Sequence, residues 1–356
     1  GNNIINAGGT SSSITTGNGA NTLNITGNYV TVRAGSGTDT IKITGTNADI
    51  DSGAGNDYLS ISAGATNANI DTKTGNNTII SDLENVNITT GDGANNITLN
   101  GSSSNLITGN GNNTIWVNGA SSSVTTGNGN NTIDVKGYYA TVKTGSGTDT
   151  IKVTGTNANI DSGAGNDNIT ASGANANIKA NDGNNKINST SEKSTITVGD
   201  GANSITVGGT ESTLVTGGGN NTITASGSSS TITTGDGNNT VNVKGNYVTV
   251  KTGSGTDTIN ITGTNANVNT GAGDDNITVS GSDANVNSGS GNDYITTTTS
   301  GTNATINSGD DDNTIISAGS NANIVTGNGN NDISLKGNNS ELNLGNGDNN
   351  VSVSGN

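Results

Sequence analysis

The stretch GSGTDTIKVTGTNANIDS, from Gly145 to Ser162, recurs almost unchanged at two other places in the chain. It stands as GSGTDTIKITGTNADIDS from Gly35 to Ser52 and as GSGTDTINITGTNANVNT from Gly253 to Thr270. Weaker versions of the phrase fill the rest of the chain, so we number one repeat from position 1 to position 18, starting at the first residue of GxGx(N/D). Repeats begin at Gly17, Gly35, Gly53, Lys73, Gly91, Gly109, Gly127, Gly145, Gly163, Asn181, Gly199, Gly217, Gly235, Gly253, Gly271, Gly289, Gly309, Gly327 and Gly345.

Apolar residues occupy fixed places in this repeat. Positions 7, 9 and 16 are apolar, as at Ile151, Val153 and Ile160. A spacing of two predicts strands rather than helices, so each repeat predicts a strand at positions 6–10, a turn around position 11 and a strand at positions 14–18. One such coil cannot bury its inner face, but stacked coils can. The sequence therefore predicts an all-β parallel solenoid of about 19 coils, roughly 90 Å long at about 4.8 Å per coil.

The repeat phase runs from end to end, which predicts one uninterrupted solenoid over residues 1–356. It comprises a partial coil 1–16, full coils from Gly17 to Leu344, and a partial coil 345–356. Two-residue insertions occur in the repeats that start at Gly53 and Gly289, near the turn in the middle of the unit. The chain begins and stops in mid-repeat without a distinct capping segment, and we expect open strand edges of this kind to favour a polymer or a fragment.

The composition of the chain argues against several classes of function. The chain has 57 Gly and no Pro, Cys, Met, Phe or His, and Ile, Leu and Val form only roughly 18% of it, so a conventional globular core is not expected. The net charge of −16 argues against nucleic acid as a partner. No apolar run approaches the length of a membrane span. Without His or Cys, and with Arg33 as the single Arg, the sequence offers little for catalysis, and we expect no enzyme.

The segment TGSGTDTIK, Thr144 to Lys152, resembles the nonapeptide G-G-x-G-x-D-x-U-x of the RTX, or hemolysin-type, calcium-binding repeats. The resemblance implies a right-handed parallel β-roll in which two nonapeptides form one 18-residue coil. It also implies Ca²⁺ between successive turns, bound by turn carbonyls and the Asp. Only one nonapeptide of each coil carries GxGx(N/D) here, so at most one edge is expected to hold ions.

Position 5 carries the candidate metal ligands. It is Asn in most repeats, and Asp in repeats that follow one another. The predicted Ca²⁺ ligands are Asp39, Asp57, Asp149, Asp167, Asp257, Asp275 and Asp293. Ca²⁺ is a hard cation that takes six to eight oxygen ligands, and without an ion stacked carboxylates would repel one another. The alternative is an Asn/Asp ladder whose side chains hydrogen-bond along the stack and cap turn amides.

Three other features admit a binding role. Thr recurs at position 6, and rows of Thr on a flat face could order water and bind ice, although β-propensity also explains them. Tyr29, Tyr139 and Tyr247 share position 13, where exposed rings could stack on sugars, touch a neighbouring rod or shield a turn. Trp116 at position 8 is expected to face outward.

The sequence thus predicts a bacterial protein that is secreted or on the cell surface and has a structural or adhesive role. It would be a fibre or surface-layer subunit or the spacer of an adhesin, with Ca²⁺ as the candidate ion that stiffens it. Its expected partners are further copies, joined end to end or side by side, and a cell-surface or matrix polysaccharide. The alternative is a solenoid module that binds ice or polysaccharide.

Overall fold

The computed structural model describes residues 1–62 and 66–355 in two units, Gly1–Lys179 (unit 1) and Ala180–Asn356 (unit 2). Each unit is a parallel β-solenoid built of two sheets, and together they contain about 19 turns of about 18 residues. The predicted all-β solenoid is therefore confirmed. No helix within the described ranges is long and apolar enough to cross a membrane.

Unit 1 contains the strands up to β20, whose last residue begins unit 2. They are β1 (Ile4–Ala7), β2 (Ser13–Thr15), β3 (Thr22–Ile25), β4 (Thr31–Arg33), β5 (Thr40–Ile43), β6 (Asp49–Asp51), β7 (Tyr58–Ile61), β8 (Asn69–Asp71), β9 (Thr78–Ser81), β10 (Asn87–Thr89), β11 (Asn96–Leu99), β12 (Asn105–Ile107), β13 (Thr114–Val117), β14 (Ser123–Thr125), β15 (Thr132–Val135), β16 (Thr141–Lys143), β17 (Thr150–Val153), β18 (Asn159–Asp161), β19 (Asn168–Ala171) and β20 (Asn177–Ala180).

Unit 2 repeats the alternation of a strand at positions 6–9 and a strand at positions 15–17 or 15–18. Its strands are β21 (Lys186–Ser189), β22 (Thr195–Val198), β23 (Ser204–Val207), β24 (Thr213–Thr216), β25 (Thr222–Ala225), β26 (Thr231–Thr233), β27 (Thr240–Val243), β28 (Thr249–Lys251), β29 (Thr258–Ile261), β30 (Asn267–Asn269), β31 (Asn276–Val279), β32 (Asn285–Asn287), β33 (Tyr294–Thr297), β34 (Thr305–Asn307), β35 (Thr314–Ser317), β36 (Asn323–Val325), β37 (Asp332–Leu335), β38 (Glu341–Asn343) and β39 (Asn350–Val353).

Within each unit, strands pair in parallel with the same strand of the next coil, and residues at equal repeat positions face each other. In the odd-numbered sheet of unit 1, Ile151 of β17 lies between Ile133 of β15 and Ile169 of β19. In the even-numbered sheet, Ile160 of β18 pairs with Val142 of β16. The predicted register of one whole coil is confirmed, and it stacks like side chains on like.

Positions 7, 9 and 16 form the dry interior of each unit. Ile50, Ile160 and Val268 at position 16 are at most 1% exposed, and burying one such aliphatic side chain stabilises the fold by roughly 1.5–3 kcal/mol. Lys42 and Lys152 at position 8 point into solvent, as the alternation predicts. Because no single coil can shield its aliphatic side chains, the core exists only between coils.

The turn around position 11 needs Gly for a reason that the sequence reading missed. We expected Gly there to supply a positive φ. Instead a Cβ on Gly155 would lie 2.0 Å from the carbonyl oxygen of Gly137 in the preceding coil, so the position is reserved by close backbone approach. The positive φ of that turn lies at position 13, for example 56° at Asn157.

The insertion in the coil that starts at Gly289 is absorbed by an extra tight turn. The N–H of Gly301 donates to the carbonyl of Thr298 at 2.9 Å, just after β33. The next strand, β34, still pairs with β32 in register. The predicted place of this insertion, at the mid-coil turn, is confirmed. The insertion in the coil that starts at Gly53 falls on residues 63–65, outside the described residues.

Candidate functional site

The position-5 side chains form an interior column along one edge of the coils in each unit. Position 5 ends the GxGx turn and precedes the strand whose positions 7 and 9 point inward, so the alternation of a strand turns position 5 inward as well. The predicted ligands are all buried, with at most 2% exposure: Asp39, Asp57, Asp149, Asp167, Asp257, Asp275 and Asp293. The structure places them in neighbouring coils as the sequence predicts, but inside the coil rather than on its surface.

In the Asn coils this column is a complete hydrogen-bond ladder. The Oδ1 atom of Asn113 accepts the backbone N–H of Asn95 at 3.1 Å and its Nδ2 group at 3.0 Å. The Nδ2 group of Asn113 donates in turn to Oδ1 of Asn131 at 3.0 Å and to the carbonyl of Gly111 at 3.0 Å. The Asn113 amide serves both as acceptor and as donor, so its oxygen and its nitrogen both have hydrogen-bond partners. The predicted Asn/Asp ladder is therefore present.

The Asp coils continue the ladder with half of its bonds. Oδ1 of Asp149 accepts the N–H of Asn131 at 2.7 Å, and Oδ1 of Asp167 accepts the N–H of Asp149 at 2.9 Å. Nδ2 of Asn131 still donates to Oδ1 of Asp149 at 2.9 Å. A carboxylate has no N–H to donate, so the side-chain bond from an Asp to the next residue of the column is lost. Within the described part of the chain, a buried Oδ2 without a hydrogen-bond partner is left on Asp39, Asp149, Asp257, Asp275 and Asp293.

Hydroxyl groups at position 18 lie beside the Asp column, and the sequence reading missed them. The Ser162 hydroxyl donates to Oδ2 of Asp167 at 2.5 Å, and that of Ser52 donates to Oδ2 of Asp57 at the same distance. The Thr144 hydroxyl donates instead to the carbonyl of Ser162 at 2.5 Å, and it lies near enough to the Asp149 carboxyl to lower its pKa. The signal was available, because position 18 follows the buried position 16 by two residues and must also face inward.

The Asp coils also change the turn. In most coils that follow an Asp coil, position 1 takes a positive φ; at Gly163 it is 72°, and the N–H of Gly163 donates to Oδ1 of Asp161 at 3.3 Å. In an Asn coil the N–H of Gly127 donates to the carbonyl of Thr108 in the preceding coil at 3.1 Å. Position 1 therefore has two backbone conformations; the positive φ occurs after Asp coils, although Asn181, which also follows one, does not adopt it.

Burial gives the column its electrostatic character. It raises the pKa of Asp57 to about 6 and that of Asp275 to about 7, since desolvation disfavours the charged carboxylate; nearby hydroxyl and amide donors oppose the shift. Desolvation also raises the pKa of four other carboxyl groups of the column, those of Asp149, Asp167, Asp257 and Asp293. A carboxyl group in this column is therefore favoured in its neutral form, or next to a cation.

Carboxylates alone do not form a coordination shell here. Among residues 1–62 and 66–355, no group of three or more His, Cys, Asp or Glu side chains is placed to hold a metal ion. Any ion at an Asp pair would take its other oxygens from position-18 hydroxyls, turn carbonyls or water. The chemistry of those atoms suits a hard cation.

The outer face of the odd-numbered sheet, formed by positions 6 and 8, carries charged residues in some stretches and none in others. In unit 1, the outer face of the odd-numbered sheet carries Lys42, Asp134 and Lys152 among its Thr and Asn residues. In unit 2, the outward residues of β25, β27, β29 and β31 are all Thr or Asn: Thr222, Thr224, Thr240, Asn242, Thr258, Asn260, Asn276 and Thr278. Charged residues also interrupt this face in unit 2, at Lys186 and Asp332, but both lie outside β25 to β31.

The remaining predicted features lie on the outside. Tyr29, Tyr139 and Tyr247 are 61–63% exposed at the turn that contains position 13. Trp116 lies on the outer face of β13 and is half-buried. The coil architecture is compatible with a β-roll repeat protein, but no family model, no curated protein and no solved structure matches this chain.

Proposed function

We propose that this chain is an extracellular structural repeat protein, a spacer or filament subunit of a bacterial cell surface or adhesin, rather than an enzyme. The observation that supports this role is the density of bonds between successive coils. Besides the two sheets, Oδ1 of Asn128 accepts the N–H of Ser146 at 2.9 Å, and Oδ1 of Asn130 accepts the N–H of Thr148 at 2.8 Å. Coils bonded at both strands and at the turn edge resist bending, as a spacer requires.

Electron microscopy of the purified chain tests this proposal. We expect thin rods of constant width, and long fibres if copies associate end to end or side by side. Immunogold labelling of intact producing cells tests the proposed location. Globular or flexible particles, or labelling confined to the cell interior, would contradict the proposed role.

Calcium at the Asp pairs is part of this proposal. The supporting observation is the buried Oδ2 without a partner, which the Asn coils do not have. Asp149 and Asp167, with the hydroxyls of Thr144 and Ser162, would hold the ion. When bound, it would compensate for the charge of two carboxylates whose ionised form burial disfavours.

Thermal unfolding of chelator-treated protein, with and without added CaCl₂, tests the calcium site. We expect Ca²⁺ to raise the Tm of the natural chain but not of a variant with Asn at all seven Asp positions of the column. Asp236→Asn is the matched control, because Asp236 lies in the turn at position 2 and accepts the N–H of Ser254 on the outside. An equal rise of Tm in the variant with all seven Asp residues replaced would show that Ca²⁺ does not bind at the position-5 column.

Ice binding is a second candidate, and the uncharged Thr and Asn face of β25 to β31 favours it. Charged groups hold their own hydration shells, whereas a flat neutral face in strand register leaves water free to adopt a regular arrangement. Thermal hysteresis and retention on ice test this candidate. Thr240→Lys with Thr258→Lys should abolish both effects, while Thr132→Lys with Thr150→Lys, on the charged face of unit 1, should leave them unchanged. Equal thermal hysteresis and ice retention in the two double variants would exclude the β25 to β31 face as an ice-binding surface.

A further inference from the structure

Position 13 is the strained corner of every coil. Its residues adopt the left-handed backbone conformation, with φ of 55° at Tyr29, 58° at Tyr139 and 57° at Tyr247. This region is disfavoured for residues with a Cβ, and it is visited mostly by Asn, Asp and other short polar residues. Asn fills the corner in many coils: Asn47, Asn67, Asn85, Asn157, Asn175, Asn265, Asn303, Asn321 and Asn339.

Burial does not offset the strain of the three Tyr residues. Their side chains are 61–63% exposed, so most of each ring faces solvent. The coils on either side carry shorter residues at the same corner, Ser121 and Asn157 in the case of Tyr139, and these leave the ring faces open. A strained, solvent-facing aromatic residue that contributes little to packing points to a binding role.

The position-13 tyrosine rings of unit 1 form a spaced row. Tyr29 and Tyr139 lie on the same edge of unit 1, six coils apart, which is about 29 Å at a coil spacing of about 4.8 Å. Tyr138 packs edge-to-face on Tyr139, with ring centroids 5.9 Å apart and an interplanar angle of 78°. This pair widens the aromatic platform at one point of the row.

We infer that Tyr29, Tyr138 and Tyr139 form a binding row on unit 1 for an uncharged polysaccharide, whose pyranose rings stack on the exposed tyrosine rings, and that Tyr247 makes the same kind of contact on unit 2. An aromatic ring binds the C–H face of a sugar, and the flanking hydroxyl and amide groups can bond the sugar hydroxyls. The net charge of −16 disfavours an acidic polymer. Single rings bind weakly, but a polymer that reaches several of them gains affinity through multivalency.

A second copy of the chain fits this row less well. A Tyr side chain buries roughly 150–250 Å² at most, and one or two rings per six coils fall short of the roughly 1,200 Å² of a stable interface. A sugar polymer needs no continuous interface, because each ring is a separate contact. The inference therefore adds a partner to the proposed structural role and does not depend on rod assembly.

The test replaces Tyr29, Tyr138, Tyr139 and Tyr247 by Asn in the full chain. The same chain carries Asn at the matching places of other coils, as at Asn28, Asn157 and Asn246, so the fold is expected to persist and Tm to stay equal or rise. Binding is measured by sedimentation with insoluble cellulose and by affinity electrophoresis in soluble neutral β-glucan, with alginate as the acidic polymer. We expect the variant to lose at least tenfold in affinity for a neutral glycan.

Tyr58→Thr with Tyr294→Thr is the matched control, since both residues lie on a sheet face at position 6, where Thr stands in many coils. The control should bind as the natural chain does. Retention of either neutral glycan by the Asn variant at full strength, binding of alginate alone, or no binding by the natural chain would each overturn the inference. None of these results bears on rods seen by microscopy, so the proposed structural role is tested separately.

Discussion

The Asn coils and the Asp coils share one backbone plan and differ at position 5 by a single functional group. Around Asn113, acceptor and donor are both used, and the column is self-sufficient. Around Asp149, the donor is missing, Oδ2 is buried without a partner within the described ranges, and the pKa is raised by burial. The difference teaches that Asn makes a structural ladder, whereas Asp creates a site that needs a proton or a cation.

The largest expected effect is the pH dependence of the three consecutive Asp residues. Because burial raises the pKa of Asp275 from 3.8 to about 7, the folded state binds a proton more tightly than the unfolded state. The protonated Asp275 carboxyl therefore contributes fully to the free energy of unfolding below pH 4, and this contribution is lost as the pH rises to 7. In chelator, we expect the natural chain to lose on the order of 4 kcal/mol relative to Asp257→Asn/Asp275→Asn/Asp293→Asn over this range.

Denaturant unfolding at pH 4, 6 and 8 measures this difference. Added Ca²⁺ should shrink or reverse the slope, because the ion favours the ionised carboxylates. A natural chain whose stability changes with pH just as that of the triple variant does would mean that the Asp column does not titrate differently from its unfolded state.

Removal of one Asn amide should have the next largest effect. Asn113→Ala deletes five hydrogen bonds of the Asn113 side chain and leaves the backbone N–H of Asn95 unsatisfied, which we expect to destabilise unit 1 by about 3 kcal/mol. Asp149→Ala should cost less, because it also removes a buried carboxylate. Equilibrium unfolding in urea compares the two variants. An equal or larger loss of stability in Asp149→Ala would contradict the proposed difference between the Asn and Asp coils.

A smaller effect is expected for the position-18 hydroxyl of an Asp coil. Ser162→Ala removes the 2.5 Å bond to Oδ2 of Asp167, and we expect a loss of about 1–2 kcal/mol at pH 7. The pKa of Asp167 should rise further, since one of the groups that lowers it is gone. Urea unfolding and ¹³C-detected NMR titration of the carboxyl group measure the two effects; an unchanged pKa would show that the hydroxyl is not bound to the carboxylate.

The smallest effect is expected for the same position in an Asn coil. The hydroxyl of Thr126 is buried and has no partner among the described residues, so Thr126→Val should be neutral or stabilise unit 1 by less than about 1 kcal/mol. It is the control for Ser162→Ala. A clear loss of stability in Thr126→Val would show that this hydroxyl is bonded, and would weaken the distinction between the two types of coil.

The sequence predicted the fold well because the alternation at positions 7, 9 and 16 has a single solution. Ile151, Val153 and Ile160 can leave water together only if coils stack in register, and the structure confirms that register. The candidate site was predicted in part. The seven Asp side chains lie in neighbouring coils as expected, and their role as calcium ligands stays a prediction.

Other features of the site could not be predicted. Strand alternation shows that Ser162 at position 18 faces inward, but it does not show that its hydroxyl bonds Oδ2 of Asp167 in the next coil. The left-handed corner at position 13 was hidden because the obvious Gly of that turn, such as Gly155, serves close packing instead. Neither fact follows from residue type, because both depend on which backbone atoms of the neighbouring coil come near.

The sequence by itself determined the coil, its period and the inward side of each strand, since periodic burial of a few aliphatic side chains is the only way for so polar a chain to form a core. Only the tertiary structure decided which polar atoms inside the coil are satisfied. Those bonds join residues one full coil apart, and their existence depends on distances that a repeat pattern does not encode.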